Sequence, residues 1–185
     1  MIYLCSSSPR RIELLKLITN NFSILEPNFS EPTPFSTPRE YTVYNALNKV
    51  TSVSNNSNDI FLSADTVVSF NNQIFGKPDT KEDAKRQLKI LSGNSHKVTT
   101  GIAIIHKDKE ITNFSETNVL FEELSDKEID YYVETEEPLD KAGSYGIQGL
   151  GARFVKEISG CYFNVVGLPI SLIYKELSKI VKEIY

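Results

Sequence analysis

Ile60-Phe61-Leu62-Ser63-Ala64-Asp65-Thr66-Val67-Val68-Ser69-Phe70 has the β-branched and aromatic content of a strand in a sheet interior, yet Asp65 and Thr66 sit at its centre. An ionised carboxylate cannot be left bare inside a sheet, because burying an unpaired charge costs more than the strand could offset. Two readings stay open on this run alone. The strand ends at Ala64 and Asp65 starts a solvated or capping bend, or Asp65 is buried for a metal or catalytic role.

Working outward, Asn71-Asn72 can turn a hairpin, with Gln73 to Phe75 returning and Gly76-Lys77-Pro78 breaking the strand. Upstream, the pattern predicts a helix from about Pro38 with Tyr41, Tyr44, Leu47 and Val50 on one apolar stripe and Lys49 off it. It ends in the polar segment Ser54-Asn55-Asn56-Ser57-Asn58. Before it lie Pro27, Pro32, Pro34 and Pro38, four of the eight prolines, which exclude regular helix or central strand and suggest an ordered loop or lid holding Glu26 and Glu31.

At the start, Ile2 to Cys5 reads as a strand, Ser6-Ser7-Ser8 as a turn, and Ser8-Pro9 as the cap and first position of a helix to about Ile18. Arg10 and Arg11 then stand in the first turn, where the helix dipole disfavours cations unless an anion joins them; two solvated arginines are the plain alternative. A strand at Phe22 to Leu25 follows. Thr80 and Ser125 open capping boxes for two further helices. Val98 to Ile105 and Ile111 to Leu120 make a hairpin, as do Phe154 to Ile158 and Cys161 to Val166 about Gly160. A final helix from Leu168-Pro169 has Leu172, Ile173, Leu177, Ile180 and Val181 as its apolar face. Residues 143 to 151 hold four of the nine glycines, which marks backbone that bends sharply or approaches a ligand, but fits no Walker or dinucleotide fingerprint.

Composition narrows the chemistry. With 185 residues, 40% of them hydrophobic, the chain can build one well-packed domain, and a net charge of −4 offers no field to hold a nucleic acid. No apolar run reaches a membrane span, and Met1-Ile2-Tyr3-Leu4 lacks a charged leader region, so a cytoplasmic protein is expected. Cys5 and Cys161 make neither a disulfide framework nor a zinc knuckle. His96 and His106, the only histidines, have no partner at zinc-ligand spacing, and no G-x-S-x-G elbow occurs, which sets aside zinc and serine hydrolases. Hydrolysis would therefore rest on carboxylates, Lys and Arg, with an oxygen-loving cation such as Mg²⁺, a set that suits a nucleotide or phosphoester.

The segments Cys5-Ser6-Ser7-Ser8-Pro9-Arg10-Arg11, Ala64-Asp65-Thr66-Val67-Val68, Gly76-Lys77-Pro78, Leu91-Ser92-Gly93 with His96, Asp140-Lys141-Ala142-Gly143 through Gly149, and Val166-Gly167-Leu168-Pro169 together resemble the Maf family of nucleoside triphosphate pyrophosphatases. They run in the family's order over nearly the whole chain. Cys5 departs from an expected alanine, and Cys161 from serine or aspartate. The resemblance implies a single α/β domain over residues 1–185 of the inosine-triphosphatase-like (Maf/Ham1) fold, with a long twisted mixed sheet flanked by helices, two lobes and a central cleft, often as a homodimer. It implies hydrolysis between the α- and β-phosphates with a divalent cation, Mg or Mn. Asp65 aligns with the proton acceptor; Glu31 and Asp65 would hold the metal; Ser6, Ser8 and Arg11 would hold the triphosphate; Lys49 and Lys77 would neutralise the leaving pyrophosphate. Arg10, Thr66 and Gln148 match the branch preferring dTTP and UTP, and a glutamine amide can donate to and accept from a uracil or thymine edge. Modified pyrimidine triphosphates, and so a house-cleaning role, are additional expectations. The alternatives are the 7-methyl-GTP branch and a nucleotide-binding inhibitor of septum formation that acts on a division-protein partner without essential catalysis.

Overall fold

A computed structural model describes residues 1–32, 37–55 and 58–181. Pro34, Asn56 and Ser57 of the segments above lie outside them. The chain runs β1 (Ile2–Cys5), α1 (Pro9–Leu15), β2 (Phe22–Leu25), α2 (Pro38–Thr51), β3 (Ile60–Phe70), β4 (Gln73–Phe75), α3 (Lys81–Leu91), β5 (Ser95–His106), β6 (Lys109–Phe121), α4 (Asp126–Glu134), three 3₁₀ turns between Glu137 and Phe154, β7 (Val155–Ser159), α5 (Tyr162–Val166) and α6 (Ile170–Leu177).

The strands form a seven-stranded mixed sheet in the order β2-β1-β3-β5-β6-β7, with β4 paired to β3. β1 lies parallel to both β2 and β3, in registers Ile2↔Phe22 and Leu4↔Leu62, so strand order reverses direction across the β1–β3 boundary. Such a switch point opens a crevice at the carboxyl end of the central strand, where α/β sheets hold ligands. The turn after β1, Ser6 to Ser8, and the middle of β3, where Asp65 stands, are brought level there. Antiparallel pairing of β4 on β3 (Val68↔Phe75) and β7 on β6 completes the mixed sheet.

By contacts the chain divides into two compact units: the described residues within 1–66, 100–115 and 167–185, and those within 67–99 and 116–166. The first has a core of Cys5, Ala46, Val50, Phe61 and Ala103. The second packs Leu88, Leu91, Phe121, Tyr132, Val133 and Phe154 around Val68 and Phe75.

Several expectations change in detail. Helix α1 stops at Leu15 and continues only as turns to Thr19. Helix α2 buries Tyr41, Thr42, Asn45, Ala46, Lys49 and Val50, while Tyr44 is exposed, so the inward face is rotated from the predicted stripe and includes Lys49. Thr80 caps α3 by accepting from the Asp83 amide, but the reciprocal half of the box comes from Asp79, not Thr80; Ser125 and Glu128 form a full box. Tyr162–Val166 is a helix, not a return strand. The chain turns at Gly160 (φ +132°), and the Asn164 amide is tied to the Val98 carbonyl and the Thr117 hydroxyl, so tertiary hydrogen bonds override β-propensity. Helix α6 ends at Leu177, leaving Ile180 and Val181 beyond it.

Candidate active site

Strand β3 runs unbroken through Asp65, whose residue is only 4% exposed, which rules out a solvated bend beginning there. The charge is compensated from α2. Lys49 Nζ lies 2.5 Å from Asp65 Oδ1 and 2.6 Å from Glu31 Oε1, and the Asn45 amide donates to Asp65 Oδ2 at 3.0 Å. Asn45 and Lys49 are four residues apart and so project from one helix face. Helix α2 reaches this position because β5 carries Gly101: a Cβ there would lie 2.5 Å from the Val43 amide nitrogen. Asn45 is fully buried, and its Oδ1 has no hydrogen-bond partner among the described residues.

The two neighbouring arginines are used differently. Arg11 turns inward from α1, donating from Nε to the Gly167 carbonyl at 2.9 Å and from Nη2 to the Thr66 hydroxyl at 3.2 Å; Thr66 also bonds Thr100 at 2.9 Å. Burial holds the Arg11 guanidinium below its ordinary value, against the opposing pull of the Asp65 and Glu31 charges. Arg10 is half-buried at the same helix start. Ser6 is buried and accepts from the Ser8 amide at 3.2 Å, while Ser8 caps α1 without a side-chain bond. The structure therefore gathers Asp65, Lys49 and Glu31 into one ionic cluster and Arg11 and Thr66 into one hydrogen-bonded group, all within the first unit.

Lys77 and Gln148 belong to the second unit, and both are exposed. The Gly143 amide donates to the Gly76 carbonyl at 3.1 Å, so the turn bearing Lys77 adjoins the glycine-rich segment. Much of the glycine density serves the protein's own groups. A Cβ on Gly149 would lie 2.5 Å from the Glu137 carboxyl carbon, and one on Gly151 2.7 Å from the Tyr132 hydroxyl. Beneath the segment, Tyr145 bonds His96 at 2.8 Å, and burial pushes the His96 imidazole down to about 4.

Glu31 and Asp65 satisfy a hard cation in donor type and in convergence, since both already approach a single ammonium nitrogen. Two carboxylates leave room for the phosphate oxygens and waters that Mg²⁺ usually retains. Asn45, Thr100 and Gly101 were missed by sequence reading, and Gly167 entered it only as part of the Val166–Pro169 motif. Only Asn45 left a signal, its i, i+4 spacing from Lys49 on the same face as Tyr41.

A family model described as Maf-like protein matches residues 1–180. Proteins named dTTP/UTP pyrophosphatase from Bacillus anthracis and Bacillus cereus strain AH820 are each 49% identical over 180 residues, covering 96% of this chain and 94% of theirs. Among solved structures, the Ham1 protein of Staphylococcus aureus aligns with a TM-score of 0.57 at 16% identity, over 96% of this chain and 98% of that one. A HAM1 protein from Coxiella burnetii aligns with a TM-score of 0.52 at 14% identity, again over 96% of this chain and 98% of that one. At such identities these two likenesses concern the fold, and the mixed sheet with flanking helices agrees with them. By the span of the family match and the identity to its named relatives, this chain belongs to the Maf-like protein family.

Proposed function

We propose that this chain, as one functional domain, is a nucleoside triphosphate pyrophosphatase that converts dTTP and UTP to the monophosphate and pyrophosphate, and clears modified pyrimidine triphosphates by the same reaction. The observation that carries the reading is the buried Asp65, held between Lys49 and Asn45 at the level of the Ser6–Ser8 turn. The activity named for the 49%-identical relatives supports it.

In this mechanism Asp65 orients the attacking water and takes its proton as the water oxygen bonds to the α-phosphorus. The bond from that phosphorus to the bridging oxygen breaks, and pyrophosphate leaves. Lys49 and Lys77 balance the charge that builds on the leaving group, and the Arg11 guanidinium and the serine hydroxyls hold the phosphates. A divalent cation held by Glu31 and Asp65 would supply Lewis acidity toward the phosphate oxygens. Gln148, with Arg10 and Thr66, reads the pyrimidine. Its amide offers both the donor and the acceptor that the O4 and N3–H edge requires.

The test is a panel of ordinary and modified triphosphates with Mg²⁺ or Mn²⁺, scoring pyrophosphate separately from orthophosphate, alongside Asp65→Asn. Pyrophosphate from dTTP and UTP, falling by roughly 10²–10⁴-fold in the variant as loss of a general base predicts, is the expected result. Orthophosphate as the product, or undiminished turnover in Asp65→Asn, refutes the mechanism. Activity confined to 7-methyl-GTP refutes the base preference.

A further inference from the structure

The segment bearing Gln148 is tied down on one side by an acidic side chain and on the other by a tyrosine hydroxyl bonded to it. Glu137 Oε2 accepts from the Leu150 amide at 2.9 Å, and Oε1 accepts from the Gly151 amide at 3.3 Å and from the Tyr132 hydroxyl at 2.8 Å. That hydroxyl in turn accepts from the Gly146 amide at 3.0 Å. The bonds of this network thus fall at 146 and at 150–151, with exposed Gln148 between them. Amide groups that would otherwise invite an external anion are satisfied by a carboxylate of the chain itself.

The anchor is well defended. Burial raises the Glu137 carboxyl, but the Leu150 amide, the Tyr132 hydroxyl, the Gly151 amide and the Lys141 charge together hold it below its ordinary value. Lys141 also donates to the Glu137 carbonyl at 2.6 Å, fixing the backbone from which the side chain reaches. Tyr132 is fully buried, with its ring edge-on to Phe154 at a centroid separation of 5.0 Å, so its hydroxyl cannot drift. Ser144, at φ +61°, bonds Gln87, and Tyr145 bonds His96, which secures the stem of the segment.

We infer that Glu137, acting with Tyr132, is a positioning residue for base discrimination: it sets the backbone on either side of Gln148 so that the amide meets the pyrimidine edge in one orientation. This rests on the base-reading role given to Gln148 under the proposed function. A loosened segment would still admit a triphosphate, because no phosphate-holding residue belongs to the network, but it would bind the correct base less well than before. The effect therefore falls on KM and on the ratio of kcat/KM between bases, and little on kcat.

The experiment compares wild type, Glu137→Gln, Tyr132→Phe, Gln148→Ala and Glu137→Gln/Gln148→Ala on dTTP and CTP. Hydrogen bonds to a charged acceptor are lost in Glu137→Gln, so KM for dTTP should rise about tenfold and dTTP-over-CTP selectivity should fall about tenfold, with kcat within about threefold. The double variant should be no less selective than Gln148→Ala alone, because both changes remove one function. Tyr132→Phe keeps the packed ring and removes only the hydroxyl link to Gly146, so it decides the matter if Glu137→Gln fails to fold. Selectivity at the wild-type value in the folded variants, or a double variant whose losses multiply, overturns the inference while leaving the pyrophosphatase reading intact. If wild type turns over no triphosphate, the proposed function falls separately. Amide exchange at 146–151 then reads the anchor: dTTP protection in wild type that is lost in Glu137→Gln and Tyr132→Phe supports it, and any other pattern overturns it.

Discussion

Lys49→Met removes the cation bonded to Asp65, leaving, among the described residues, a carboxylate at 4% exposure with the Asn45 amide as its remaining partner. Breaking a buried pair from one side costs about 3–5 kcal/mol, because the surviving charge stays desolvated. Asp65→Asn costs less, since Lys49 keeps Glu31, whose side chain is 44% exposed and within reach of water. The double variant Lys49→Met/Asp65→Asn removes both charges and should recover most of the loss, giving a coupling of about 3 kcal/mol. Urea unfolding at pH 7 reads these values, provided that m is unchanged. Lys16→Met is the control: its pair with Glu13 is 48% and 69% exposed at 2.7 Å. Such a pair is worth only about 0.2–1 kcal/mol. If Lys49→Met costs no more than Lys16→Met, or if the two single losses simply add, the cluster is not a desolvated ion pair and the reading of Asp65 as a buried carboxylate held by Lys49 fails.

His96 makes acid stability testable. Its folded value is about 4 against 6.5 unfolded, so between those values the unfolded chain holds a proton that the folded one refuses. The stability from keeping it neutral is whole above pH 6.5 and is lost as pH falls to 4, a change of about 3 kcal/mol at roughly 1.4 kcal/mol per unit. His96→Gln, which preserves a partner for Tyr145, should flatten the stability curve over that window; an unchanged slope refutes the assignment. Gly101→Ala should lower stability by about 1–3 kcal/mol and reduce turnover more than substrate binding, because α2 must back away and carry Lys49 and Asn45 with it. A fully active, equally stable Gly101→Ala would show that close approach of α2 is not what places those residues.

Local pattern made most elements legible: the β-rich run around Asp65, the cap at Thr80, the capping box at Ser125, and the asparagine turn after Phe70 each carry their cause within a few residues. The motif order, too, was enough to place the chain in its family. Where the pattern misled, the cause was distant in sequence. Tyr162 to Val166 has strand-like residues but follows the hydrogen bonds of Asn164 to Val98 and Thr117. Lys49 was read as lying off the inward face because an apolar count cannot see that a lysine is worth burying when Asp65 waits 16 residues away. For the glycine-rich segment, composition could say only that backbone approaches something closely. Folding named that partner as Glu137, since hydrogen bonds and ion pairs between remote residues depend on distances that no periodicity encodes.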